Sequence, residues 1–228
     1  MKNVFAMVVA LAMMSVTASA GIIDSFDSPA QFVISIPGLD TNNQVSPQSL
    51  GGWRDLQAFG SLANLTGTTG VFNGNLVFGN GPSGVGTLAV RWTSNNVGLG
   101  GGIGTNLLLG GMDSFSIDVV ADDTIPTVLA YRVEDVFGNV ATALANIGGS
   151  SAGSTFVVPF ASFVGFADFS AAKFLQMTIA GGPNADITLD NLQTTGSPVP
   201  EPSSLALALT GLGIAGVVAR RRKKQQVV

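Results

Sequence analysis

Neither cysteine nor histidine occurs anywhere in the 228 residues. Without thiols, a domain exported to an oxidising compartment has no disulfide to rely on, so its stability must come from a buried core. Without imidazole, the chain lacks the commonest general base and the commonest transition-metal ligand, and its many serines have no histidine to activate them. Charge is also scarce, at 11% of residues, and the only glutamates are Glu134 and Glu201. Amphipathic rings are few: Trp53, Trp92 and Tyr131.

What the chain does have is concentrated at its ends. The first twenty residues, MKNVFAMVVALAMMSVTASA, place Lys2 ahead of an apolar run from Val4 to Met14 and end on Ala18-Ser19-Ala20. That order predicts a signal peptide over residues 1–20, cleaved before Gly21 by signal peptidase. At the other end an almost wholly apolar segment, residues 205–219, is followed by Arg220, Arg221, Arg222, Lys223 and Lys224. Counted from Ser203 the segment has seventeen residues, at the lower end of the ~17–25 that span a bilayer. The cationic cluster reads as a stop-transfer signal held on the cytoplasmic side, with residues 220–228 as a basic tail. Residues 196–204 read as a linker.

Removing both ends reverses the electrostatic picture. Residues 21–198 hold four cations, Arg54, Arg91, Arg132 and Lys173, against thirteen acids, for a net charge of −9 compared with −4 for the whole chain. Such a body cannot neutralise phosphates, which excludes nucleic acid as a partner. Twelve of the thirteen acids are Asp, the residue of turns and of calcium loops rather than of helices.

The body is rich in Gly, Ser, Thr, Asn and Val, and its segments alternate with period two. Leu88, Val90 and Trp92 share one face of LAVRWT, with Arg91 opposite, and Phe115, Ile117 and Val119 share one face of SFSIDVV. TVLAYRVED, STFVVPF, FLQMTIA and ADITLDNL continue the series, although the alternation of the last slips at Asn191. The pattern predicts eight to ten antiparallel strands and no convincing helix. Pro37 to Leu50 and Asn95 to Gly104 read as loops. The fold class is all-β: a two-sheet, jelly-roll-like sandwich over residues 21–195, flanked by the signal peptide and a C-terminal transmembrane helix.

The stretch Val199-Pro200-Glu201-Pro202, then a short apolar segment, then an arginine cluster, resembles the PEP-CTERM sorting signal. The resemblance implies processing by an exosortase and a bacterium with a Gram-negative-type envelope that makes exopolysaccharide. The protein would be an inner-membrane precursor, then a surface or biofilm-matrix component. More loosely, IIDSFDSP, GGWRDLQ, LAYRVEDVFGN and ADITLDNLQ resemble galactose-binding-like and carbohydrate-binding-module jelly rolls. That likeness implies a calcium ion near the meeting of the first and last strands, with Asp24, Asp27 and Asp190 as its candidate ligands.

For sugar binding, Trp53 with the neighbouring Arg54 is the candidate platform, because rings present π-faces to sugar C–H groups. Trp92 is expected in the core, and Arg91 and Arg132 are expected to point away from it. Glu134 and Asp135 are adjacent, so a strand directs them to opposite faces and they cannot flank one glycosidic bond. The expectation is a non-enzymatic surface or matrix protein, structural or associated with extracellular polysaccharide. The alternatives are a carbohydrate-active enzyme using paired Asp residues and a scaffold without a ligand.

Overall fold

The computed structural model describes residues 21–27, 30–32, 40–46, 49–59, 69–82, 84–93, 105–108 and 111–196, with backbone alone for residues 32 and 40–45. The expected signal peptide, sorting motif (Val199 to Pro202), transmembrane segment and basic cluster (Arg220 to Lys224) lie outside the described residues, as does the loop 95–104. Among the described residues no helix is long and apolar enough to cross a membrane.

Fourteen strands are present among the described residues, more than alternation alone predicts. They are β1 (Gly21–Asp24), β2 (Gln31–Phe32), β3 (Asp40–Val45), β4 (Trp53–Phe59), β5 (Gly70–Phe72), β6 (Asn75–Gly79) and β7 (Thr87–Thr93). Then follow β8 (Ser114–Asp122), β9 (Thr127–Asp135), β10 (Val140–Ile147), β11 (Ser154–Pro159), β12 (Val164–Gly165), β13 (Ala172–Gly181) and β14 (Asp186–Thr195). The only helical pieces described are three short 3₁₀ turns. The segment Pro37 to Leu50, expected as a loop, contains β3, whose polar sequence carries no alternating apolar signal. Strand β10 was hidden for a different reason: its inward positions are the small Ala141 and Ala143, while the larger Leu144 faces out.

Two antiparallel sheets face each other. The first runs β11-β8-β14-β6-β5-β2, with β1 also on β14; the second runs β12-β10-β9-β13-β7-β4-β3. Strand β14 is long enough to take β6 along Asp186–Leu189 and β1 along Leu192–Thr194 on one side, and β8 on the other. The slip at Asn191 is a bulge: the β14–β8 register jumps between Asp190 and Gln193, and Asn191 has φ of 49°. Between β5 and β6 the turn is Asn73-Gly74, both with positive φ (49° and 80°), as a two-residue type I′ hairpin requires.

The core lies between the sheets. Leu56, Leu88, Val90, Leu129, Val133, Leu175 and Ile179 point inward from the second sheet, and Phe78, Phe115, Ile117, Leu189 and Leu192 from the first. Phe115 stacks on Tyr131, with centroids 5.7 Å apart, and meets Phe160 edge-on. The described residues all fall within one compact unit, and this core lies inside it.

Candidate functional site

Strand parity decides which polar residues are available to a ligand. On β4, burial of Leu56 and Ala58 requires Arg54, two residues away, to point inward as well. Arg54, expected beside Trp53 at the surface, is instead fully buried. Its Nη1 donates to both oxygens of Asp24, at 3.0 and 2.9 Å, and its Nε donates to Gln31 Oε1 at 2.8 Å. Asp24 also accepts from Trp92 Nε1 at 2.7 Å and from the Phe26 amide at 2.9 Å. The two charges are tolerable in the core because each is paired and the remaining polar capacity is hydrogen-bonded.

This network also changes the expected calcium set. Asp24 is turned into the core and committed to Arg54, while Asp27 is exposed and Asp190 is partly buried on β14. Burial pushes the Asp190 carboxyl up; the Asn191 amide opposes this, and the charges of Asp27, Asp118 and Asp24 reinforce it. Among the described residues no group of three or more carboxylates is assembled to hold a metal.

One polar array available to a ligand among the described residues is the outer face of the second sheet. Residues opposite one another across antiparallel strands share a face, and the register aligns two rows. One is Trp53, Thr93, Phe174, Glu134 and Val140; the other is Asp55, Arg91, Gln176, Arg132, Thr142 and Val164. The second row crosses six strands, about 24 Å at ~4.8 Å per spacing. Phe166, 92% exposed, continues the first row, its amide donating to Val140 O. At the other end Gly51 and Gly52, with φ of 75° and 79°, turn the chain so that Trp53 opens β4 on this face, partly exposed.

Between the rings the face is cationic and aromatic. Phe174 is covered by two guanidinium groups, Arg91 at 4.8 Å and Arg132 at 4.9 Å from its centroid. Arg91 donates through Nε and Nη2 to Gln176 Oε1, the shorter contact being 2.8 Å. Arg132 pairs with Glu134 at 2.7 Å, and Lys173 reaches the other oxygen of Glu134 at 3.2 Å. Asp55 Oδ1 is buried without a hydrogen-bond partner. Burial raises the Asp55 carboxyl above its ordinary value, and the neighbouring Arg91 opposes this in part. Arg91 is pushed down chiefly by its own burial; Asp55 opposes this, Arg132 adds to it, and Glu134 opposes it.

The outward placement of Arg91 and Arg132, and the inward one of Trp92, follow from alternation and are found here. Gln176, Phe174 and Lys173 were missed. The outward parity of Phe174 and Gln176 on β13 is readable locally, whereas Lys173 alternates with Phe174 and reaches Glu134 through a bulge between Ala172 and Phe174 that only the fold shows. Ser170 and Lys173 have Ser-x-x-Lys spacing. They are not brought together: the hydroxyl donates to Asp168 at 2.6 Å, and the ammonium to Glu134.

No curated protein matches the chain. Among solved structures it is similar to a family 11 carbohydrate-binding module from Clostridium thermocellum in complex with a β-1,3-1,4-mixed-linked tetrasaccharide. Identity is 10% and the TM-score 0.42, over 79% of this chain and 98% of that one. It is also similar to an exo-β-agarase, at 10% identity and a TM-score of 0.42, over 83% of this chain and 27% of that one. A xylan-binding domain from Paenibacillus barcinonensis is similar at 13% identity and a TM-score of 0.29, over 79% of this chain and 99% of that one. Residues 198–223 match the PEP-CTERM protein-sorting motif, so this jelly-roll-like sandwich carries the signal of an exported, exosortase-processed protein.

Proposed function

We propose that this is a surface or extracellular-matrix protein that binds polysaccharide along the outer face of its second sheet. The observation that carries the reading is the elongated outer face on which the partly exposed Arg91 and Trp53 lie together. Arg91 has N–H groups beyond those given to Gln176, and Asp55 lies one strand spacing away with its Oδ1 closed off in the fold. A sugar hydroxyl that accepts from Arg91 takes up that donor capacity, while an adjacent ring takes the apolar face of the pyranose. The row is elongated, as a chain of sugar units requires.

Binding rather than hydrolysis suits the two carboxylates of this face. Asp55 on β4 and Glu134 on β9 are three strands apart, about 14 Å. Glycosidase pairs lie ~5–9.5 Å apart. The sorting motif provides the delivery: export, processing by an exosortase, and display where polysaccharide is met.

Affinity electrophoresis of residues 21–196 in polysaccharide-containing gels tests the reading. Trp53→Ala is expected to weaken retardation by about 30-fold in Kd, the loss of one aromatic contact worth ~2 kcal/mol. Retardation unchanged by this substitution would exclude the face as the binding site.

A further inference from the structure

The class of polysaccharide follows from where the domain places its cations. Of the four cations in residues 21–196, Arg54 is buried and neutralised by Asp24. The other three, Arg91 on β7, Arg132 on β9 and Lys173 beside the bulge of β13, are on neighbouring strands of one face. The acids are elsewhere for the most part. Asp118 and Asp190 lie opposite each other across β8 and β14 of the first sheet, and Asp122, Asp123 and Asp186 line a cavity of about 540 Å³ at its end. Among the described residues of a body of net charge −9, this face is locally net positive, with three cations against the carboxylates of Asp55 and Glu134. Its field favours an anionic chain there over the first sheet.

Local pairing leaves that face short of anions. Arg132 and Lys173 share the single carboxylate of Glu134. Arg91 hydrogen-bonds the neutral Gln176 and makes no ion pair among the described residues, Asp55 lying on the next strand without touching it. With both guanidiniums packed against Phe174, their remaining N–H groups are fixed in direction, which suits bidentate capture of a carboxylate. We propose that the site selects acidic polysaccharide, with ring carboxylates held by Arg91 and Arg132 above Phe174 and with Lys173 adding to the attraction. This rests on the polysaccharide reading of the same face and narrows it to one ligand chemistry.

The test keeps the sugar backbone and removes the charge. Residues 21–196 are run in gels containing polygalacturonate, alginate or hyaluronan, in methyl-esterified polygalacturonate, and in the neutral agarose, xylan and mixed-linkage β-glucan. The expected result is retardation by the acidic chains, at least tenfold weaker with the ester and fading as salt shortens the range of the field. Arg91→Gln with Arg132→Gln is expected to abolish the difference between acid and ester, with thermal unfolding of the variant as the control for folding. Equal retardation by acid and ester, or binding to neutral chains alone, overturns the inference and leaves the polysaccharide reading standing. No retardation in any gel overturns both.

Discussion

Asp24→Asn isolates the contribution of the buried ion pair. Asp24 accepts four hydrogen bonds, two from Arg54 Nη1, one from Trp92 Nε1 and one from the Phe26 amide. Asparagine keeps one oxygen, turns an NH₂ towards the remaining donors and leaves the Arg54 charge uncompensated in the core. Removing one partner of a buried pair costs about 3–5 kcal/mol, a large part of the ~5–15 kcal/mol that a domain has in total. At ~2–4 °C per kcal/mol for this size, the midpoint falls by roughly 6–20 °C. Thermal and urea unfolding of residues 21–196, followed by circular dichroism, measure it. A second arm adds Arg54→Met to the asparagine variant: removing the stranded charge is expected to recover much of the loss, giving a strong coupling between the two sites. A single-variant loss under ~1 kcal/mol, the range of solvated pairs, or additive effects in the double variant, would refute the claim that these charges depend on each other.

Two further outcomes concern carboxylates shifted in opposite directions. Asp55→Asn removes the charge of a carboxylate whose Oδ1 is buried without a partner, so stability at neutral pH is expected to rise. Because Asp55 is raised in the fold, the wild type loses its contribution as pH rises from the ordinary value near 3.8 through the folded value; unfolding midpoints of the asparagine variant lack that decline. Asp135 is the reverse: burial disfavours its charge, but donors from the Asn139 side chain and from the Asp168, Asn139 and Phe137 amides hold it below 3.8 overall. Its stabilisation is present above the ordinary value and lost as pH falls through the lowered one, so Asp135→Asn is expected to flatten the acid limb of a midpoint-against-pH curve. An acid limb unchanged in that variant would count against the role assigned to these four donors.

Much of the sandwich was legible because half-buried strands advertise themselves. TVLAYRVED is β9 residue for residue, and LAVRWT is β7 less its first threonine. Where apolar size does not track burial, the signal fails. Polar β3 is an edge strand, and β10 turns its alanines inward and its leucine outward. Arg54 shows a different failure: its parity with Leu56 and Ala58 was readable, but a charged residue is ordinarily assigned to the surface. Its inward position makes sense only once Asp24 is known to lie opposite, thirty residues earlier in the chain.

The sequence by itself determined the address and the alphabet of this protein. An ordered sorting signal, the absence of thiol and imidazole, and the supply of four cations and thirteen acids to the body are local or compositional facts. The tertiary structure alone decided what those residues do together. Arg91, Arg132 and Lys173 come from strands separated by some forty residues each, and only the order β9-β13-β7 makes them neighbours. Period-two alternation specifies which face a side chain takes, not which strand lies beside it; that choice is made by closing one core between two sheets.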